Sequence, residues 1–175
     1  VAMSEPDLEL ASRRTIYQQV ADAPGIHFRA LLDDLDYAKG TLQYHLRWLA
    51  DEGLLDVADD GQYTRYYPAA EFDEDDRAVM NALRREYSRR ILAHLLTDGP
   101  LSTSDLSDRV GKADSTVSWH LSKLAEAGLV TKQREGRRVA YAVDDPDRVR
   151  YLYTIHRQSF TDRVVDRLLG LWDSY

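Results

Sequence analysis

The chain contains the same sequence unit twice. Residues 12–66 align with residues 87–141 without a gap, at an offset of 75 positions, and fourteen of the aligned pairs are identical. Chance would give about three or four identical pairs between segments of ordinary composition. A repeat of this kind predicts two copies of one domain, and a chain of 175 residues has room for two small domains.

Each copy has the pattern of three helices followed by a two-stranded hairpin. The third helix carries a stripe of apolar residues at spacings of four and three, which predicts one buried face. Gly53 and Gly128 follow this helix, where a left-handed residue ends a helix, and Gly61 and Gly136 stand at the predicted hairpin tips. The predicted helices are 10–21, 27–35 and 38–52 in the first copy, and 86–96, 104–110 and 114–127 in the second. The fold class expected is mainly α with small β-hairpins (α+β), as two tandem winged helix-turn-helix domains.

The segments outside the repeat predict further helices. We expect an acidic helix start at 71–76, then one continuous helix over 77–96 that connects the domains, with Thr103 or Ser104 capping the next helix. The predicted organisation is a first domain at 8–70, a connector at 71–85, a second domain at 86–144 and a C-terminal helix at 145–175.

The C-terminal segment begins with Asp145-Pro146, a favourable helix start, and continues with an apolar stripe about 25 residues long. Such a helix must bury its apolar face, either against a second copy of the chain or against the first domain. We expect dimerisation, because one winged helix makes few base contacts and a two-fold dimer doubles them. The predicted dimer face consists of Leu152, His156, Phe160, Val164, Leu168, Leu171 and Trp172.

The composition is acidic, with a net charge of −7, and contains no cysteine, which excludes disulfides and thiolate metal sites. Asp outnumbers Glu by 22 to 8 and Arg outnumbers Lys by 19 to 4. This bias predicts a protein of a very salty cytoplasm, the alternative being a moderately acidic mesophilic protein. In about 1 M salt the screening length is about 3 Å, so net charge does not exclude a nucleic-acid partner.

Residues 115–130 resemble the recognition helix of ArsR-type winged-helix regulators, and residues 133–141 resemble their wing. Residues 24–46 are similar to halves of archaeal tandem winged-helix regulators. Over residues 12–143, the resemblance implies an archaeal, haloarchaeal-like tandem winged helix-turn-helix transcriptional regulator. It does not imply metal sensing, because ArsR metal sensors use cysteines or an Asp/His set on their C-terminal helices, where this chain has a single histidine, His156.

The second copy has the residues expected of a DNA-binding surface. A recognition helix contacts bases through its outer face, while the wing and helix ends hold phosphates. Hydroxyl groups bond to base edges or phosphates, and arginines bind phosphates. The predicted DNA-binding residues are Lys112, Ser115, Thr116, Ser118, Trp119, Ser122, Lys123, Arg134, Arg137 and Arg138. Residues 80–150 carry 13 bases and 10 acids, against 6 bases and 10 acids for residues 12–72, so we expect the second domain to be the main DNA-binding unit.

The first copy differs at the hairpin tip, where Asp59-Asp60-Gly61 would repel phosphate. Its third helix offers a second set of DNA contacts, namely Lys39, Thr41, Gln43, Tyr44 and Arg47. The sequence leaves open whether these residues contact DNA or whether the aromatic side chains of this copy mark a protein or ligand surface.

No phosphate-binding loop, nucleophile motif or paired metal ligands appear, so we expect no enzyme activity, no cofactor and no metal. No apolar run is long enough to cross a membrane and no signal segment is visible, which predicts a cytoplasmic protein. The function expected is a dimeric, sequence-specific repressor that binds double-stranded DNA, with an unidentified small-molecule effector as a further partner. The alternative is a tandem winged-helix scaffold, similar to condensin accessory subunits, that binds partner peptides instead of DNA.

Overall fold

The computed structural model describes residues 5–160, with side chains from residue 9 onward. The chain divides into two compact units, with the division between Arg77 and Ala78. None of the helices in the described range is long and apolar enough to cross a membrane.

The first unit is built of three helices, a small antiparallel sheet and the start of a fourth helix. In chain order the elements are α1 (Glu5–Asp22), β1 (Ile26–His27), α2 (Phe28–Asp34), α3 (Lys39–Asp51), β2 (Leu55–Asp59), β3 (Thr64–Pro68) and α4 (Glu74–Leu83), which continues across the division. Strand β3 is central in the sheet, with β1 on one side and β2 on the other. Helix α4 begins within the acidic run, whose carboxylates are favourable at the positive end of the helix dipole.

The second unit repeats this plan. Its elements are α5 (Glu86–Asp98), α6 (Thr103–Val110), α7 (Asp114–Glu126), β4 (Val130–Glu135), β5 (Arg138–Val143), α8 (Pro146–His156) and a short 3₁₀ turn (Arg157–Ser159). Strands β4 and β5 form an antiparallel hairpin, which we call the second wing; the hairpin β2–β3 is the first wing.

The 75-residue offset holds in three dimensions as well as in sequence. Helices α3 and α7 start and end at equivalent positions. The bridge between Leu101 and Tyr141 in the second unit is the equivalent of the pair Ile26 and Tyr66 in the first. The predicted fold class, tandem winged helix-turn-helix domains of mainly α structure, is confirmed.

The predicted apolar stripes form the centre of both units. Leu42, Leu46 and Leu49 of α3 are buried, as are Val117, Leu121 and Leu124 of α7. Gly53 and Gly128 both have positive φ directly after these helices, as expected of residues that end a helix. The stripe fixes which face of α3 and α7 turns outward, and so it defines the surfaces available for recognition.

The prediction of one continuous connector helix is wrong. Helix α4 ends at Leu83 and α5 begins at Glu86. The guanidinium Nη1 of Arg89 donates a 2.6 Å hydrogen bond to the carbonyl of Leu83, which satisfies an acceptor at the end of α4. The predicted cap of the next helix is also wrong, because Ser102 is the N-cap of α6 and forms a capping box with Asp105.

The C-terminal helix is shorter than the apolar stripe predicted. Helix α8 ends at His156, where a 3₁₀ turn begins. Arg84 donates hydrogen bonds to the carbonyl and hydroxyl oxygens of Ser159, at 2.9 and 2.8 Å, and its guanidinium lies 4.7 Å from the Phe160 ring centroid. These contacts stabilise a turn of the chain after α8, in place of the continuous helix that was expected.

Candidate nucleic-acid interface

The outer face of α7 presents the polar side chains predicted for DNA contact. The exposed ones are Ser115, Ser118, Trp119, Ser122 and Lys123, and Thr116 is half-buried. Trp119 is 51% exposed, a large value for an aromatic side chain. The hydroxyl groups therefore form a row on the helix, beside an exposed indole and above the buried stripe.

Trp119 has partners on both sides. His120 meets the indole edge-on, with ring centroids 4.9 Å apart, and its Nδ1 lies 3.3 Å from the hydroxyl of Ser88 in α5. Lys123 lies 5.9 Å from the centre of the Trp119 ring and pairs with Glu126 at 3.2 Å. The Trp119 side chain is thus positioned by neighbours on its own helix, one of which is anchored to α5.

Lys112 occupies the turn between α6 and α7, where Gly111 takes the left-handed conformation that ends α6. Its ammonium nitrogen lies 4.9 Å from the ring centroid of Tyr87, and its carbonyl accepts a hydrogen bond from the Ser107 hydroxyl. Tyr87, a residue that the sequence did not single out, thus lies beside the ammonium group of Lys112. The contact joins residues of different elements, so no pattern in the sequence indicated it, although a cation beside an aromatic face is a favourable pair.

The second wing extends into solvent. Every residue of β4 after Val130 is exposed, so neither face of that strand is covered over its outer part. The side chains of Arg134 and Arg137, near the tip glycine, form no ion pair or hydrogen bond within the described part of the chain. Guanidinium groups without an internal partner have the chemistry that suits an anion.

Arg138 differs from the other two arginines. Its Nη2 lies 3.0 Å from Oδ2 of Asp105, at the start of α6. The hydrogen bonds from Ser102, together with this guanidinium, hold the pKa of Asp105 below its usual range. A phosphate that binds Arg138 has to compete with a carboxylate already in place.

In the first unit, α3 exposes the five residues of the possible second DNA contact, Lys39, Thr41, Gln43, Tyr44 and Arg47. Tyr44 is 53% exposed, in the place that Trp119 has in the second unit. Its hydroxyl lies 3.5 Å from the guanidinium of Arg13, which stacks at 3.9 Å on the ring of Trp48.

In the first wing, oppositely charged side chains pair inside the hairpin. Oδ2 of Asp60 accepts a 2.5 Å hydrogen bond from Nε of Arg65, and Arg65, only 1% exposed, donates a second bond of 2.8 Å to the carbonyl of Gly25. Burial alone would raise the pKa of Asp60, but the bonds from Arg65 and from the backbone N–H groups of Tyr63 and Gln62 lower it to about 2. Asp60 is therefore compensated within the fold, and the repulsion of phosphate expected from two tip aspartates is left mainly to Asp59.

Three residues of the predicted dimer face lie in the described part of the chain. Leu152 and Phe160 are buried and His156 is half-buried; Phe160, which follows the end of α8, stacks on Tyr153 with centroids 5.5 Å apart. Leu152 and Phe160 are thus packed within the chain itself, whereas the prediction placed them against a second copy. The exposed apolar residues of α8 are Tyr151 and Ile155, one turn apart. The remaining predicted residues, Val164, Leu168, Leu171 and Trp172, lie outside the described residues.

The described residues include no group of three or more His, Asp or Glu side chains that is arranged to hold a metal ion. The site is accordingly one of hydroxyl, aromatic and guanidinium groups.

Two family models match the two copies. One, described as an N-terminal HTH domain, covers residues 11–80, and the other, described as a helix-turn-helix domain, covers residues 85–133.

Curated relatives come from archaea and bacteria. The chain is 31% identical over 134 residues to the uncharacterized HTH-type transcriptional regulator MJ1398 of Methanocaldococcus jannaschii. The aligned region covers 77% of this chain and 34% of that protein. It is 32% identical over 79 residues to the transcriptional activator HlyU of Vibrio cholerae, which covers 45% of this chain and 72% of HlyU. The solved structure of HlyU has a TM-score of 0.42 at 28% identity, over 48% of this chain and 90% of that chain. The chain thus spans only about a third of the length of MJ1398, and most of the length of HlyU. It belongs to the helix-turn-helix transcriptional regulators, and its second domain is an ArsR-like winged helix.

Proposed function

We propose that the chain is a sequence-specific, DNA-binding transcriptional repressor in which α7 and the second wing form the main contact with double-stranded DNA. The observation that carries the proposal is the pair Arg134 and Arg137, exposed at the wing tip and without an ion pair in the described structure. In a protein with a net charge of −7, two such guanidinium groups beside a hydroxyl-lined helix favour a polyanionic partner.

The chemistry of each element indicates which part of the duplex it contacts. The hydroxyl groups of Ser115, Ser118 and Ser122 suit base edges in the major groove, and the wing arginines suit phosphates. Lys112, fixed on Tyr87, suits a phosphate at the start of α7. Base contacts supply sequence selectivity, and phosphate contacts supply affinity and its dependence on salt.

The test is DNA binding by the full chain and by the double variant Arg134→Ala/Arg137→Ala, measured by fluorescence anisotropy on a duplex selected from a random pool. At 0.1 M salt we expect the dissociation constant to rise about a hundredfold, since each charge-assisted contact contributes about a factor of ten. The slope of log affinity against log salt should fall by about two, because two phosphate contacts are lost.

Arg29→Ala serves as the control, since Arg29 is an exposed arginine on α2 of the first unit. Its affinity should match that of the unmodified chain within about twofold. Binding that the double variant retains in full contradicts the assignment of the second wing. A parent chain that selects no duplex, at low or high salt, favours the peptide-binding scaffold instead.

We propose further that the regulator acts as a homodimer through the exposed face of α8. Tyr151 and Ile155 lie one turn apart and are 64% and 53% exposed. In sedimentation equilibrium, Tyr151→Asp/Ile155→Asp should convert a dimer to a monomer, because a desolvated carboxylate without a partner is costly. Thr154→Asp, on an exposed residue beside them, is the control. An unmodified chain that is already monomeric refutes the dimer.

Repression is tested separately, as lower output from a reporter promoter that carries the selected site.

A further inference from the structure

The first unit contains a groove of about 610 Å³ between α3 and the first wing. Its lining includes Gly40, Gln43, Tyr44, Arg47, Val57 and Tyr66, with Leu46 and Ala50 beneath. A volume of this size lies in the range of small-molecule sites, which are mostly apolar with a few polar groups. Val57 is 48% exposed on the wing side of the groove, although it is a β-branched aliphatic residue.

The repeat shows how this groove differs from the equivalent surface of the second unit. At an offset of 75 positions, Gly40 corresponds to Ser115, Arg47 to Ser122 and Val57 to Lys132. On the wing side the first unit thus has an aliphatic residue in place of a cation, and on the helix side it has a guanidinium in place of a hydroxyl. The number of cations at these positions is the same in both units, but in the first unit the cation lies on the helix side of the groove and an aliphatic residue lies on the wing side.

Three of the residues decide which ligand the groove fits. The side chain of Arg47 is exposed and has no ion pair or hydrogen bond in the described part of the chain, so its guanidinium has no internal anion. Tyr44 and Tyr66 place aromatic rings along the groove, and burial raises the pKa of the Tyr66 phenol, which stays neutral. A guanidinium binds a carboxylate through two parallel hydrogen bonds, and aromatic and aliphatic walls favour a planar apolar body.

Gly40 lines the groove without a side chain. A Cβ atom added at this position would meet no other atom within 4 Å, and its backbone does not need glycine's conformational freedom. The absence of a side chain at Gly40 is therefore not required by α3 itself, and a larger side chain introduced there has open space to occupy.

We propose that this groove binds a small aromatic carboxylate, with the carboxylate on Arg47 and the ring between Tyr44 and Val57. The first domain then acts as a ligand-binding domain in the same chain as a DNA-binding domain. The site stands on the first unit alone, so its test does not depend on whether the second unit binds DNA.

The experiment is isothermal titration of the full chain with four probes, benzoate, phenylacetate, indole-3-acetate and 2-naphthoate, each beside its neutral carboxamide. At least one acid should bind, and its carboxamide should bind about tenfold more weakly or not at all, because the amide loses the charge-assisted pair. If no acid binds, or if acid and carboxamide bind equally, the proposal is wrong.

Two variants locate the site. Arg47→Gln should lower the affinity for the acid about tenfold while affinity for the carboxamide stays the same. Gly40→Leu should abolish binding of both by filling the groove, and circular dichroism should show an intact helix content. Arg14→Gln, on an exposed arginine of α1 outside the groove, is the control and should bind like the unmodified chain.

Binding that survives both groove variants would place the ligand elsewhere and overturn the proposal. If no probe binds and Arg47→Gln lowers the affinity for DNA, the ligand proposal is wrong and α3 contacts DNA instead.

Discussion

In the first wing Asp60 and Arg65 near the turn bond to one another, whereas in the second wing Arg134 and Arg137 extend into solvent. Asp60 and Arg65 form a buried pair that ties the first wing to the carbonyl of Gly25. The aligned residues of the second wing are Glu135 and Ala140, so this pair has no counterpart there. The two hairpins share one backbone plan but differ in charge, because the first pairs its arginine inside the fold and the second leaves Arg134 and Arg137 exposed.

The largest effect expected from this difference is on stability. Asp60→Ala leaves Arg65 buried without its carboxylate, and we expect the free energy of unfolding to fall by about 3 kcal/mol. Glu135→Ala removes the aligned but exposed carboxylate, and it should change that free energy by less than about 0.5 kcal/mol. Urea denaturation of the full chain, followed by circular dichroism, measures both. Equal losses in the two variants would mean that the wings do not differ in this way.

A second prediction concerns the pH dependence of the same pair. The pKa of Asp60 is lowered from its ordinary value of 3.8 to about 2, so ionised Asp60 stabilises the folded chain above the ordinary value. This contribution is lost as the pH falls through the window from 3.8 to about 2. The difference in unfolding free energy between the unmodified chain and Asp60→Ala should therefore be constant above about pH 4 and shrink below it. A difference that does not change down to pH 2 would refute the ion pair as its cause.

The smallest effect separates the arginines of the second wing. Because Arg138 is already paired with Asp105, Arg138→Ala should raise the dissociation constant for DNA about threefold, against about tenfold for Arg134→Ala. Asp105→Asn should strengthen DNA binding, since it releases the guanidinium of Arg138, and thermal unfolding reports its separate effect on the α6 cap. If Arg138→Ala weakens binding as much as Arg134→Ala does, the pair with Asp105 is not maintained when DNA binds.

The sequence predicted the elements that depend on local patterns. Apolar spacing defined α3 and α7, and the glycines after them and at the hairpin tips were correctly placed because positive φ strongly favours glycine. The helix breaks were not predictable in this way. Helix α4 ends at Leu83, whose carbonyl accepts a bond from Arg89 in the next helix, and the turn after α8 is held by Arg84, 75 residues before its partner Ser159.

The candidate site was also predicted only where it depends on a local pattern. The exposed face of α7 follows from the position of its buried stripe. Tyr87 under Lys112 and Asp105 against Arg138 are contacts between elements, which no spacing rule reports. The pairing of Asp60 with Arg65 inside the hairpin was also not predictable from the sequence. An acidic turn has the same sequence pattern whether or not a buried arginine pairs with it.

The proposed function places DNA on the second unit and not on the first. The measurement that decides this is hydrogen exchange of the full chain, free and bound to a selected duplex. We expect slower exchange in α7 and at the tip of the second wing, with no change in α3 or the first wing. Slower exchange in α3 and the first wing, with α7 unaffected, would contradict the claim.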